Sequence, residues 1–137
     1  MSFTYEIGTL AGSEYVELVK SVGWKTGKDL ILNDVDKALV ATSFIVVARD
    51  SNGTVTAAGR AFSDNLTMTF IPDILVRPDF QRLGLEREIL EMIKDRFGHT
   101  VFYFGGQVDQ EEFYTKLRFK KGMTSFTGRF SPNAFFD

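Results

Sequence analysis

The segment from Ile74 to Glu86 has the residue types of an anion-binding site. An apolar strand ending Ile74-Leu75-Val76 leads into a basic turn, Gln81-Arg82-Leu83-Gly84-Leu85, at which a helix is expected to begin. The first amides of a helix have no intrahelical acceptor, and the helix dipole adds about half a positive charge there. Gly84 has no Cβ, so an anion can approach its backbone closely. The turn therefore predicts a phosphate site, to which Arg77, Arg82 and Arg87 would add positive charge.

Two motifs, in this order along the chain, resemble those of the Gcn5-related N-acetyltransferase (GNAT) family. Gln81-x-x-Gly84-x-Glu86 is similar to the family's Q/R-x-x-G-x-G/A loop, with Glu86 where Gly or Ala is usual. The segment from Phe113 to Phe119 is similar to the late F-Y-x-K-L-G-F motif, with Arg118 in the place of Gly. The resemblance covers roughly residues 44 to 119 and implies an acyl-CoA-dependent enzyme.

The resemblance also implies a role for each matching residue. Acetyl-CoA would lie with its pantetheine arm beside the strand residues Ile74, Leu75 and Val76, where a backbone N–H near Leu75 or Val76 would stabilise the oxyanion. Its diphosphate would be bound by Gln81, Arg82, Leu83, Gly84, Leu85 and Glu86. Tyr114 holds the position of the phenol that protonates the leaving thiolate, and Gln107 falls where many relatives have an Asn that contacts the cofactor arm. No metal is expected.

The acceptor amine requires a way to lose its proton. An alkylamine has a pKa near 10, so generating the nucleophile at neutral pH costs about 4 kcal/mol unless a base assists. Asp73, on the strand that precedes the turn, is the first candidate for this catalytic base. Asp109, Glu111 and Glu112 are competitors, although capping of a helix N-terminus is the simpler interpretation of these three.

Composition limits the class of protein. The chain has 137 residues, 44% of them apolar, and no cysteine, which excludes disulfides, thiolate zinc sites and a cysteine nucleophile. We expect one domain over residues 1–137. Because no apolar run approaches about 18 residues and no signal peptide is evident, no membrane association is expected, and the protein should be cytoplasmic. A net charge of -2 argues against a nucleic-acid partner.

Periodicity and turn signals predict an α/β (α+β) fold. The sequence predicts helices near residues 15–22, 29–39, 85–97 and 110–117, and strands at 3–8, 43–48, 54–62, 66–76, 100–104, 119 onward and 124–130. The strand at 100–104 is expected to be buried. Pro72 cannot donate to a ladder, so a bulge is expected near it. The resemblance implies a mixed, mostly antiparallel sheet flanked by helices, with the fourth and fifth strands splayed around the ligand.

We therefore predict an N-acetyltransferase that moves acetyl from acetyl-CoA to a primary amine of a small molecule by direct attack. A CoA-binding module that has lost catalysis is the alternative, because Glu86 and Arg118 replace two small residues. A phosphate-binding domain unrelated to CoA has less support, since neither a Walker sequence nor a full G-x-G-x-x-G is present. Phe126, Phe130, Phe135 and Phe136 near the end of the chain either form a homodimer contact or close the core.

Overall fold

A computed structural model describes residues 2–8, 10–23, 31–105, 110–122, 125–128 and 130. The elements, in chain order, are β1 Thr4–Ile7, α1 Gly12–Ser21, α2 Leu32–Val40, β2 Phe44–Arg49, β3 Val55–Ser63, β4 Met68–Val76, α3 Leu85–Phe97, β5 Val101–Tyr103 and α4 Glu111–Lys116. A short 3-10 turn, Pro78–Phe80, lies between β4 and α3. Among the described residues the helices and strands follow the predicted order as far as α4.

The five strands form one sheet in the order β1-β2-β3-β4-β5. The first four strands pair antiparallel, whereas β5 runs parallel to β4. The mixed, mostly antiparallel sheet is thus confirmed. A parallel partner needs a crossover connection, which α3 provides.

A bulge in β4 determines where the sheet opens. Arg60 pairs with Asp73 and Phe62 pairs with Phe70, so two steps along β3 match three along β4. Pro72 lies in this interval, as expected for a residue that cannot donate to the ladder. Pairing of β4 with β5 ends at Phe70 and Tyr103, and the remainder of β4 continues to Val76 without a described β5 partner. The two strands therefore form a fork that opens toward their carboxyl ends.

Each face of the sheet is covered by helices. On one face α3 packs Ile89 and Ile93 against Val46 and Ala57. The approach is close, since a Cβ added at Gly59 would lie 2.5 Å from Cγ2 of Ile89. On the other face α1 and α2 bury a second cluster, which includes Leu18, Val19, Val35, Leu39, Val47, Ala58 and Leu75. The first cluster includes Leu85, the first residue of α3, and so fixes the N-terminus of that helix against the sheet beside the fork.

The structure differs from the sequence prediction at the far edge of the sheet. β5 was expected to be buried, yet Val101 is 55% exposed and Tyr103 42% exposed. Its three residues are too few to be enclosed, and β4 is the only neighbour that the described residues give it. The strands predicted from Phe119 onward are wrong for 119–122 and 125–128, which contain no regular element.

Candidate active site

The fork between β4 and β5 offers backbone rather than side chains. Leu75 and Val76 are buried in the two clusters, and Ile74 packs partly buried beside α3. Their side chains are thereby committed to the core. What β4 presents beyond Phe70 is therefore its free main-chain edge, to which an extended polar chain can pair.

The turn that leads into α3 is hydrogen-bonded to β4 at its start, whereas the backbone amides at its end have no acceptor among the described residues. The side-chain amide of Gln81 donates to the carbonyl of Val76 at 3.2 Å, which ties the turn to the end of β4. Gly84 has a φ of +86° and Arg82 a φ of +65°, so the chain reverses sharply before the helix. No described residue accepts a hydrogen bond from the backbone amides of residues 82–86. These amides form the cradle that the sequence predicts for an anion.

The arginines around the turn divide into two groups. Arg77 donates from Nε to the carbonyl of Val55 at 2.6 Å and contacts Glu17 at 3.3 Å, so it fastens β4 rather than facing the turn. The guanidinium groups of Arg82, Arg87 and Arg118 have no hydrogen bond or ion pair with any described residue. Their positive charge is available to a ligand.

Tyr114 stands beside the fork and is held there by aromatic contacts. Its ring meets Phe104, which directly follows β5, edge to face at a centroid distance of 4.8 Å. Its hydroxyl lies 3.3 Å from Oε1 of Glu86 and 3.4 Å from Oε1 of Gln110. Both distances are long for an O–H···O hydrogen bond, so neither acceptor holds the hydroxyl firmly.

Glu86 and Tyr114 each influence the pKa of the other. Partial burial raises the pKa of Glu86, although the hydrogen bond from Tyr114 opposes that rise. The pKa of Tyr114 is raised to about 12, first by burial and then by the neighbouring Glu86 carboxylate. Tyr114 is therefore a protonated donor across the physiological range. Glu86 points toward α4, and no turn amide donates to its carboxylate.

Asp73 lies on the opposite face of β4, in a buried network. Its carboxylate accepts two hydrogen bonds from Nε of Arg60, at 3.1 and 3.0 Å, and one from Nη2 at 2.8 Å. The hydroxyl of Tyr15 donates to the same carboxylate at 2.8 Å. The Asp73 side chain is only 3% exposed. This carboxylate already has a full set of donors.

The Asp73 network was not foreseen from the sequence. Arg60 and Asp73 are thirteen residues apart, and only the bulged register of β3 and β4 makes them cross-strand partners. Tyr15 reaches them from α1, which is distant from both residues along the chain. Burial of Tyr15, followed by the charge of Asp73, raises its pKa.

The other candidate residues lie apart from the fork or outside the described residues. Gln107 and Asp109 belong to the second group. Glu111 pairs with Lys121 at 2.7 Å and Glu112 with Lys116 at 3.4 Å. Within the described part of the chain, no cluster of His, Asp or Glu suits a metal ion, and no helix is long and apolar enough to cross a membrane.

Comparison with known proteins identifies the class. No protein-family model matches the chain. An uncharacterised N-acetyltransferase of Pyropia yezoensis, ycf52, is 32% identical over 124 residues, which are 85% of this chain and 69% of the relative. The forked sheet, the open turn and this relative together define an N-acetyltransferase.

Solved structures agree with that assignment at the level of the fold. A GNAT-family acetyltransferase of Streptococcus pneumoniae TIGR4 superposes with a TM-score of 0.73 at 19% identity, covering 93% of this chain and 100% of that one. Glucosamine-6-phosphate N-acetyltransferase of Arabidopsis thaliana gives 0.72 at 17% identity, with 93% and 99% covered. An aminoglycoside acetyltransferase from a soil metagenomic sample, in complex with sisomicin, gives 0.72 at 13%, with 94% and 97% covered. The chain belongs to the Gcn5-related N-acetyltransferase family.

Proposed function

We propose that this chain transfers the acetyl group of acetyl-CoA to a primary amine of a small molecule by direct attack. The observation that carries the proposal is the fork between β4 and β5, which leads to the unpaired amides of residues 82–86 and has the Tyr114 hydroxyl at its side. An extended chain with a diphosphate at one end and a reactive group at the other fits that arrangement.

The residues of the turn fit acetyl-CoA in charge and in shape. Unpaired helix amides and the free guanidinium of Arg82 suit a diphosphate, and Gly84 leaves the approach open. Glu86 lies at the end of the turn, and its contact with Tyr114 directs its carboxylate toward α4. When bound, acetyl-CoA would supply the thioester carbonyl that an amine attacks. A backbone N–H near Leu75 or Val76 would donate to the developing oxyanion.

Tyr114 would donate its proton to the sulfur of the departing thiolate. A pKa of about 12 keeps the phenol protonated at neutral pH. Because its contacts with Glu86 and Gln110 are 3.3 and 3.4 Å long, the hydroxyl can turn to a better acceptor at little cost. The aromatic contact with Phe104 keeps the ring at the end of β5 while it does so.

The proton of the amine would leave through water. Asp73 stays a prediction as the catalytic base, and its contacts argue against that role. To accept a proton it would have to release Arg60 or Tyr15, which would leave a buried cation or hydroxyl without its partner. Solvent reaches the fork beside the exposed Tyr103, so a water chain is the simpler route.

A CoA-binding module without catalysis is the second candidate. The observation in its favour is that the Tyr114 hydroxyl already has an acceptor, Glu86, at a position where the family usually has Gly or Ala. If that bond persisted in the complex, the leaving thiolate would have no donor. Such a protein would bind acetyl-CoA and release no thiol.

The acceptor is proposed as a small amine because two fold neighbours act on such compounds. One is named for glucosamine-6-phosphate and another was solved with sisomicin, so amino sugars head the panel of acceptors. An amino acid, a polyamine and a peptide N-terminus complete it. Cytoplasmic location and homodimer formation stay predictions.

Ligand binding and turnover are measured separately. Acetyl-CoA at about 100 times its dissociation constant should stabilise the fold by about 2.7 kcal/mol, which a thermal shift detects. Thiol release with the amine panel should then identify an acceptor, and Tyr114→Phe should lower kcat by about a hundredfold with the thermal shift retained. Tyr5→Phe, which removes a hydroxyl from β1 at the other edge of the sheet, is the control. A thermal shift without turnover on any amine would favour the inert module, and no shift would refute both candidates.

A further inference from the structure

A basic cleft lies between α3 and the end of α4. It encloses about 390 Å³ and is lined by Arg87, Glu91, Lys94, Lys116, Leu117 and Arg118. Four of these side chains are cationic and one is anionic, whereas the chain as a whole carries a net charge of -2. The positive charge is therefore concentrated in this cleft and does not reflect the average surface.

The lysines of the cleft are engaged, but its arginines are not. Lys94 lies 3.4 Å from both the Glu91 carboxylate and the carbonyl of Leu117. Lys116 pairs with Glu112 at 3.4 Å on the exposed surface. Arg87 and Arg118 have no side-chain partner among the described residues. Two guanidinium groups, the side chains best shaped for a phosphate, are left unmatched.

Arg118 is held in a backbone conformation that opposes its residue type. Its φ is +71°, in the left-handed region that glycine adopts freely and arginine rarely does. The conformation is set by the end of α4, where the backbone N–H of Arg118 donates to the carbonyl of Thr115 and the N–H of Phe119 donates to the carbonyl of Tyr114, as is usual where a helix ends. Because its guanidinium has no described partner, the end of α4 presents an unmatched positive charge at the cleft.

The cleft is placed to receive a second phosphate of the ligand that occupies the turn. Arg87 is the third residue of α3, so it lies within one helical turn of the unpaired amides of residues 82–86. Lys94 lies two further turns along the same helix. Coenzyme A carries a phosphomonoester on its ribose, separate from the diphosphate. Bidentate arginine contacts suit such a group.

We propose that this cleft binds the 3'-phosphate of coenzyme A through Arg87 and Arg118, and so distinguishes coenzyme A from its 3'-dephospho form. The proposal rests on the proposed function, since it presumes a CoA diphosphate at the turn. A phosphorylated acceptor carries the same chemistry, but it would have to reach the fork rather than the outer side of α3. The arms of the experiment separate these two sources.

The test is a comparison of two cofactors by isothermal titration calorimetry. Acetyl-CoA and acetyl-3'-dephospho-CoA are titrated at low salt into the wild-type chain and into the variants Arg87→Gln, Arg118→Gly and Arg118→Lys. We expect the wild type to bind acetyl-CoA about tenfold more tightly, with the preference falling as salt is added. Arg87→Gln and Arg118→Gly should each lose most of that preference, and Arg118→Lys should keep part of it. Lys37→Gln, an equal change of charge on α2, is the matched control.

A second readout distinguishes a ligand-binding arginine from a structural one. Arg118→Gly relieves the left-handed strain, so its melting temperature without ligand should rise while its preference for acetyl-CoA falls. A structural role would lower both. Equal affinity of the wild type for the two cofactors would overturn the inference while leaving the proposed function intact.

Further outcomes also decide against the inference. Equal weakening of both cofactors by the arginine variants would assign these side chains to the diphosphate instead. Binding of glucosamine-6-phosphate alone, lost in Arg118→Gly, together with no discrimination between the cofactors, would assign the cleft to a phosphorylated acceptor. Failure to bind either cofactor would refute the proposed function, and this inference with it.

Discussion

Arginine serves two different purposes on the two sides of β4. On the α1 side, Arg60 is 13% exposed, bonds the Asp73 carboxylate and lies with Cζ 5.1 Å from the centre of the Tyr15 ring. On the α3 side, Arg82, Arg87 and Arg118 are exposed and have no described partner. The first arrangement is complete without a ligand, whereas the second is incomplete.

This difference in hydrogen-bond partners indicates which residues stabilise the fold and which are available to bind a ligand. Among the described residues, every buried side-chain nitrogen and oxygen has a hydrogen-bond partner. By contrast, the turn amides of residues 82–86 and the arginines beside them have no partner among the described residues. Substitutions on the α1 side should therefore change the free energy of unfolding, and substitutions on the α3 side should change ligand affinity.

The largest expected change in stability comes from the α1 side of β4, where Arg60 and Asp73 pair. Arg60→Ala removes the cation from a buried pair and leaves the Asp73 carboxylate with Tyr15 alone, so the free energy of unfolding should fall by about 3–5 kcal/mol. Urea unfolding measures this loss. The double variant Arg60→Met, Asp73→Leu replaces both charges and should recover much of it. A loss below about 1 kcal/mol would show that the network contributes little to stability.

A smaller effect, on the affinity for acetyl-CoA, is expected at Glu86. This residue lies in the first turn of α3, beside the proposed ligand site. Partial burial raises the pKa of Glu86, so its carboxylate is charged only above that raised value and becomes neutral when the pH falls through it. The charge repels a diphosphate, so acetyl-CoA should bind more tightly at low pH. Glu86→Gln should remove this dependence and improve affinity at pH 8 by about fivefold, or about 1 kcal/mol.

The control for Glu86 lies on the same helix. Glu88→Gln removes an equal charge from the first turn of α3 at an exposed position that does not contact Tyr114. It should leave the pH dependence in place. If Glu88→Gln flattened the pH profile as much as Glu86→Gln, the effect would reflect the total charge near the turn and not the Glu86 carboxylate in particular.

The order of the elements and the open turn followed from local sequence signals. Pro72 indicated the bulge, Gly84 the reversal before α3, and the apolar stripe of α3 its buried face, because each acts over a few residues. These features are set by backbone conformation and periodicity. The turn could therefore be located before the tertiary structure was known, whereas Tyr114 was singled out by the resemblance of residues 113–119 to a family motif.

The contacts that define the chemistry of the site could not be read in the same way. Tyr114 and Glu86 are 28 residues apart, and their hydrogen bond depends on how α4 packs against α3. The partners of Asp73 depend on a register that a one-residue bulge shifts. The exposure of β5 depends on which strand, if any, lies beyond it. Each of these is a property of the assembled sheet.

The central claim is that the amides of residues 82–86 bind the diphosphate of acetyl-CoA. Amide NMR resonances test it directly, with acetyl-CoA compared against acetyl-pantetheine, which lacks the diphosphate. We predict that acetyl-CoA shifts the resonances of Arg82, Leu83, Gly84, Leu85 and Glu86 and slows their hydrogen exchange, and that acetyl-pantetheine does neither. Saturating acetyl-CoA that leaves these five amides unchanged would contradict the account.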